Sequence, residues 1–265
     1  MLDHLDGATR LNLILGDPIA QVKSPGGLTR VMAARGYNGI VVPGHVTAEE
    51  LDAFVTAAKL LHNLDGIVVT VPHKFAAARH CDRLSDRARI LGAVNVLRRE
   101  GDGGWAGEML DGAGFVAALR RAGGEPKGRR ALLVGAGGAG SAIAAELLAS
   151  GVAALAIHDA DAARRDALMA RLGPAWPGIP ISAGSDDPAG FALVVNATPA
   201  GMRERDPLPV HAERLDQDAF VGDVVTVPEI TPLLAAARGR GCGISTGVAM
   251  FEAQAALLAD YLMGA

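Results

Sequence analysis

The stretch Ala131-Leu132-Leu133-Val134-Gly135-Ala136-Gly137-Gly138-Ala139-Gly140-Ser141 decides the fold. Its first four residues read as a short buried strand, and a helical pattern opens at Ser141 and runs through Ala149. Between them Gly135, Gly137 and Gly140 match G-x-G-x-x-G. The first glycine permits a tight turn, the second lets backbone approach a pyrophosphate, and the third allows the helix to pack closely on the strand. Unpaired N–H groups at the helix N-terminus then face the phosphates. A glycine pattern alone is a weak signal. Here a strand precedes it, a helix follows it, and Asp159 closes the next apolar run about 20 residues on. The context predicts a Rossmann-type dinucleotide site in which Gly135, Ala136, Gly137, Gly138, Ala139, Gly140 and Asp159 hold the cofactor.

Asp159 points to NAD. A carboxylate there can accept the ribose hydroxyls and would repel the 2′-phosphate of NADP, and neither Ala160 nor Asp161 offers a cation to hold that phosphate. The other use of Asp159 would be to cap the helix that begins near Ala162, a task open to Asp161 as well.

On either side of this unit, apolar runs alternate with amphipathic ones. Residues 11–15, 39–42 and 66–70 read as strands separated by helical patterns near 27–36 and 47–62. A second series follows at 131–134, 154–157, 192–195 and 220–225. Alternating strands and helices imply α/β units with largely parallel sheets. The glycine-rich segment ending at Gly128 reads as a surface connection, so a domain boundary falls near residues 112–128.

Composition narrows the partners. The 265 residues carry 25 Lys+Arg against 29 Asp+Glu, a net charge of −4, which gives no electrostatic footprint for nucleic acid. Ala131 to Ile157 contains only Glu146 as a charge, but its glycines and alanines fit a strand, loop, helix and strand better than a membrane span. Met1-Leu2-Asp3-His4-Leu5-Asp6 has acids where a signal peptide has bases, and Cys81 and Cys242 have no CxxC spacing. A cytoplasmic setting is expected. The histidines form no HxxxH or HExxH pattern, so no metal is expected.

Several polar residues stand where strands end: Ser24 in Gln21-Val22-Lys23-Ser24-Pro25, Thr70 and Lys74 in Thr70-Val71-Pro72-His73-Lys74, Asn95 in Gly92-Ala93-Val94-Asn95, and Asp111 in Met109-Leu110-Asp111-Gly112. In open α/β sheets ligands bind beyond the carboxyl ends of strands. With Gly16-Asp17-Pro18-Ile19, Asn196-Ala197-Thr198-Pro199-Ala200-Gly201-Met202 and Gly247-Val248-Ala249-Met250 through Gln254, these blocks resemble the shikimate dehydrogenase family over nearly the whole chain. Each block is modest, and their order is specific.

The resemblance implies a Rossmann-type nicotinamide-binding domain (113–246) and a smaller α/β substrate domain (1–112, completed by the C-terminal helix 247–265), with a cleft between them. It implies reversible oxidation of a ring hydroxyl of shikimate or quinate, a cyclic hydroxy acid, by a monomer or homodimer. Lys74 and Asp111 would be the catalytic pair. Ser24, Thr70, Asn95 and Gln254 would hold the substrate, and Asn196, Thr198, Met202, Gly247 and Met250 would join the cofactor set. Chemistry agrees, because hydride loss from a secondary alcohol needs a group to take the hydroxyl proton. Pro72 suggests that Lys74 starts a helix, where the dipole disfavours a cation. Plainer readings stay open. Lys74 could be a solvated lysine, Asp111 a helix cap, Asn95 a turn residue, and Met202 and Met250 gap-fillers. Gln254 lies on a helical face with Met250, Leu257 and Tyr261, and its amide needs either substrate hydroxyls or a core partner. His73 reads as incidental.

The chain departs from the family pattern at four places. The usual His-Ser-x-Ser-Pro is Gln21-Val22-Lys23-Ser24-Pro25, so one carboxylate-binding hydroxyl is missing. Val68 replaces an asparagine, Met109-Leu110-Asp111 replaces Asn-Thr-Asp, and Thr226 replaces a tyrosine. Shikimate is therefore expected to bind weakly. The alternatives are a dehydrogenase of another cyclic polyol or aminoshikimate-like substrate, and a regulatory module that binds NAD without turnover, against which Lys74 and Asp111 argue.

Overall fold

Residues 5–20 and 22–264 are described in the computed structural model. The acidic start Met1 to His4, Gln21 and the last residue of the expected C-terminal helix lie outside the described residues. The chain divides into two units, one running through Leu110 and resuming at Ala255, the other spanning Asp111–Gln254.

The first unit contains β1 (Arg10–Gly16), α1 (Ser24–Ala33), β2 (Gly39–His45), α2 (Leu51–Ala58), β3 (Leu64–Val69), α3 (Lys74–Ala77), β4 (Arg83–Leu84), α4 (Asp86–Leu91), β5 (Val96–Arg99) and β6 (Trp105–Glu108). Its sheet has the order β2-β1-β3-β5-β6-β4. β1 runs parallel to β2 and β3 as the alternation implies, but β5 and β6 form an antiparallel hairpin against β3. Alternate residues of each strand face opposite sides. Leu15, Ile67 and Leu97 accordingly join a core with α2, while their neighbours Ile14, Val68 and Val96 join a second core with α1 and with Leu258, Ala259 and Leu262.

The second unit contains α5 (Asp111–Arg121), β7 (Arg130–Val134), α6 (Gly138–Ala149), β8 (Ala154–His158), α7 (Ala162–Leu172), β9 (Ile181–Ala183), β10 (Leu193–Asn196), β11 (Phe220–Asp223), α8 (Pro232–Gly239), β12 (Gly243–Ser245) and α9 (Gly247–Met263). Its strands are all parallel, in the order β12-β11-β10-β7-β8-β9. Parallel strands are covered on both sides and read as continuous apolar runs, which is why β7 and β10 are legible from sequence. α9 belongs to the second unit through Gln254 and to the first from Ala255. No helix among the described residues is long and apolar enough to cross a membrane.

Candidate active site

The glycine loop sits where three parallel strands end. Gly135 N–H donates to the His158 carbonyl at 2.7 Å, and Ala197 N–H donates to the Val134 carbonyl at 2.7 Å, so the ends of β7, β8 and β10 are laced together. Gly135 has φ +102°, and a Cβ there would stand 2.9 Å from the Ala197 carbonyl. A Cβ on Gly140 would lie 1.9 Å from the Gly135 carbonyl oxygen. Both positions require glycine. A Cβ on Gly137 would meet nothing within 4 Å, so protein packing does not demand glycine there. Its bare backbone lies open beside the uncapped start of α6, the space and the N–H groups that a pyrophosphate needs. The residues therefore fit a dinucleotide.

Asp159 is tied into this loop. Its Oδ2 accepts from Ala136 N–H at 2.7 Å and its Oδ1 from Asp161 N–H at 2.8 Å. It does not cap α7. That task falls to Asp161, whose Oδ1 accepts from Ala163 and Arg164 N–H at 3.0 and 3.2 Å. The sequence reading missed Arg164. The residue stands in the first turn of α7, with its guanidinium 3.7 Å from Asp159 and 3.6 Å from Asp161. Its signal was its place two residues beyond Ala162, where a first-turn side chain points back toward the cap.

The other expected cofactor residues line neighbouring strand ends. Asn196 closes β10 and is 1 % exposed, Thr198 follows it half-buried, Met202 is exposed, and Gly247 and Met250 open α9. Thr246 caps α9 by accepting from Ala249 N–H at 3.2 Å. A Cβ on Gly247 would lie 2.3 Å from the Val225 carbonyl oxygen, so α9 starts directly on the segment after β11. Thr226 is exposed.

In the first unit Ser24 opens α1, Thr70 follows β3, Lys74 opens α3 and Asn95 precedes β5. Thr70 N–H donates to the Leu15 carbonyl at 2.9 Å, which places it at the carboxyl end of β1. The Lys74 carbonyl accepts from Val94 N–H at 2.9 Å, and Asn95 Oδ1 accepts from Leu110 N–H at 2.8 Å. One ladder of bonds therefore fixes the backbone at Lys74, Asn95 and Leu110, the last being the residue before Asp111. α3 is a single turn, too short for a large macrodipole, so the expected dipole effect on Lys74 is small. His73 is not incidental. It is 1 % exposed and its Nε2 donates to the Val46 carbonyl at 2.8 Å, pinning the turn before Lys74. Val22, Val68 and Leu110 pack in one apolar cluster, so three departures from the family pattern occur together.

Asp111 starts α5 and is 3 % exposed. Gln254 Nε2 donates to its Oδ1, which answers the question of what the amide on the apolar face of α9 bonds to. Close approach makes this possible, because a Cβ on Gly114 would stand 2.8 Å from Gln254 Cβ.

Comparison with known proteins gives a consistent result. Residues 14–97 match the family model of the shikimate dehydrogenase substrate binding domain. A shikimate dehydrogenase (NADP(+)) of Rubrobacter xylanophilus is 40% identical over 251 residues, covering 93% of this chain and 88% of the relative. Among solved structures, shikimate 5-dehydrogenase of Listeria monocytogenes in complex with shikimate and NAD superposes with a TM-score of 0.92 at 27% identity, covering 100% of this chain and 95% of that one. Quinate dehydrogenase of Corynebacterium glutamicum in complex with NAD gives a TM-score of 0.88 at 29% identity, covering 97% and 94%.

Proposed function

The chain belongs to the shikimate dehydrogenase family, and from that premise we propose that it transfers a hydride reversibly between NAD and a ring hydroxyl of shikimate or quinate, giving the corresponding 3-keto acid. The residues through Leu110 serve the substrate, and those around the glycine loop serve the cofactor. A reducing, cytoplasmic setting suits the free thiols of Cys81 and Cys242.

The observation that carries the cofactor choice is the Asp159 carboxylate bonded to Ala136 within the glycine loop. Each of its oxygens accepts one backbone N–H and keeps a lone pair free to accept a ribose hydroxyl. When bound, the nicotinamide supplies the hydride acceptor. The chain supplies the rest. N–H groups of residues 137–140 hold phosphate, Lys74 takes the hydroxyl proton as general base, and Asp111, oriented by Gln254, is its carboxylate partner. Ser24, Thr70 and Asn95 hold the substrate hydroxyls and carboxylate. With valine at positions 22 and 68, fewer donors reach the carboxylate, so affinity for shikimate is low while the proton-transfer groups are intact.

Arg164 favours a second reading. Its guanidinium, 3.7 Å from Asp159, is placed to attract a 2′-phosphate, and the Rubrobacter relative carries the name NADP(+). The two readings separate in parallel saturation curves with NAD and NADP, using shikimate and quinate as substrates. Higher kcat/KM with NAD is expected, and Asp159→Ala is expected to move the ratio toward NADP. Equal efficiency with both cofactors would sink the argument from Asp159. No turnover of shikimate, quinate or their amino analogues with either cofactor would leave a binding module in place of an enzyme.

A further inference from the structure

Asp223 closes β11 and is 0 % exposed, a buried carboxylate that the hydride chemistry does not use. Its bonds run outward to the cofactor side of the second unit. Oδ1 accepts from Asn196 Nδ2 at 3.1 Å and from Val225 N–H at 3.0 Å, and Oδ2 accepts from the Thr231 hydroxyl at 2.8 Å. Thr231 is itself 0 % exposed and caps α8 by accepting from Leu234 N–H at 3.2 Å.

The bond to Asn196 is the informative one. The second Nδ2 proton of Asn196 goes to the Ala200 carbonyl at 3.1 Å, while its Oδ1 accepts both the N–H of Thr198 at 3.0 Å and the Thr198 hydroxyl at 2.6 Å. The Thr198 hydroxyl in turn accepts from Ala200 N–H at 3.1 Å. Both amide protons and both carbonyl lone pairs of Asn196 are therefore committed inside the protein. Its side chain has nothing left to offer a ligand, although the sequence marks it as a cofactor residue. Its work is to transmit the position of Asp223 to residues 197–200.

Those residues are the ones that press on the glycine loop, since a Cβ on Gly135 would stand 2.9 Å from both the Ala197 carbonyl and the Thr198 methyl. On the other side, the Val224 and Val225 carbonyls are the floor on which α9 begins at Gly247. One carboxylate thus ties the segment carrying Thr198 and Met202 to the segment that seats Gly247 and Met250.

We propose that Asp223 is a positioning residue for the dinucleotide, setting cofactor affinity through Asn196 and Thr198 without touching the cofactor. The proposal rests on the reading that these segments face a nicotinamide dinucleotide. A purely structural carboxylate would behave differently, because removing it would lower stability and leave the affinity of the folded protein unchanged.

The full chain is made as wild type, Asp223→Asn, Asp223→Ala and Thr231→Val. Dissociation constants for NAD and NADP are read by calorimetry, KM for the hydroxy acid by absorbance, and thermal midpoints without ligand by circular dichroism. Asp223→Asn is expected to weaken binding of the preferred dinucleotide about tenfold, the scale of a lost bond to a charged group, with the hydroxy-acid KM within about twofold of wild type. Asp223→Ala is expected to be worse than Asp223→Asn, which keeps one acceptor oxygen. Thr231→Val removes the bond to Oδ2 together with the cap on α8, and is expected to weaken binding about threefold. If Asp223→Asn does not fold, Thr231→Val decides. Lowered thermal midpoints with unchanged dinucleotide affinity, or a rise in the hydroxy-acid KM as large as that in the dinucleotide dissociation constant, would overturn the proposal. Wild type that binds neither NAD nor NADP would instead overturn the dinucleotide reading on which it stands.

Discussion

Lys74 leaves a short turn whose backbone is held at both ends, by the His73 imidazole on the Val46 carbonyl and by Val94 N–H on the Lys74 carbonyl. A general base needs such fixed geometry. Lys74→Ala is accordingly expected to lower kcat by about 10²-fold or more while leaving dinucleotide affinity unchanged, as measured by steady-state rates beside direct binding; unchanged turnover would remove Lys74 from the mechanism. Val22 makes the opposite point, since it is half-buried against the cluster containing Val68 and Leu110 and offers no donor. Val22→Ser restores a hydroxyl, and a hydrogen bond worth about 0.5–1.5 kcal/mol lowers KM for shikimate about two- to tenfold. A KM that does not move would mean that the carboxylate is held elsewhere or that the natural substrate has none. Spacing singles out Asp159, and helix periodicity singles out Gln254 only as an amide on an apolar face, but neither shows the partner. Gln254 meets Asp111 across 143 positions of sequence, a distance no periodicity reports, and Arg164 reaches Asp159 from the first turn of the helix that Asp161 caps.

α5 and α6 cross at Gly112. A Cβ there would stand 2.1 Å from the Ala142 carbonyl oxygen and 2.9 Å from Glu146 Cβ. Backbone cannot yield as a flexible side chain can, so Gly112→Ala forces the helices apart. Overpacking of this kind costs about 1–3 kcal/mol, expected as a lower urea midpoint with an unchanged m-value. Since Asp111 immediately precedes the contact, kcat should fall as well. Stability equal to wild type would show that the crossing relaxes freely. The same contrast between local signal and distant partner explains how far the elements could be read. β1, β3, β7, β8 and β10 are runs of apolar residues covered on both faces, and they announce themselves. The β5–β6 hairpin does not, because Val96-Leu97-Arg98-Arg99 is a four-residue strand ending in two arginines, and β4, β9 and β12 have two or three residues each. The turn Gly101-Asp102-Gly103-Gly104 was the available clue, with Gly103 at φ +84°. Strands this short are set by the neighbour they pair with rather than by their own pattern.

The two units carry opposite electrostatic designs, which acid should separate. In the first unit, burial opposes ionisation of Asp65, but hydrogen bonds from Arg10 at 3.0 Å and Tyr37 at 2.6 Å outweigh it and hold the carboxyl below its ordinary value of 3.8. Asp82 is held down by Trp105 N–H at 2.8 Å and by Lys59. In the second unit, burial pushes the Asp223 carboxyl above 3.8 against the bonds from Val225, Thr231 and Asn196. A carboxyl with a lowered folded value contributes stability that is present above the unfolded value and is lost as pH falls through the folded one. A carboxyl with a raised folded value contributes stability that is full below the unfolded value and is lost as pH rises through the folded one. Acidification below about pH 4 therefore weakens the first unit while relieving the charge buried in the second. The carboxyls of the second unit that are lowered, Glu125 and Asp187, are surface groups where solvent screening leaves little, and the same holds for Asp82, so Asp65 carries the contrast. Each unit has its own reporter, the fully buried Trp105 in the first and the half-buried Trp176 in the second. In Trp105→Phe and Trp176→Phe variants, the fluorescence transition of Trp105 is expected at higher pH than that of Trp176. Adding Asp65→Asn to the variant retaining Trp105 is expected to flatten the pH dependence of its transition, because the group that titrates is gone. Coincident transitions would show that the two cores unfold as one cooperative body, and that the local carboxyl networks do not set the order in which they are lost.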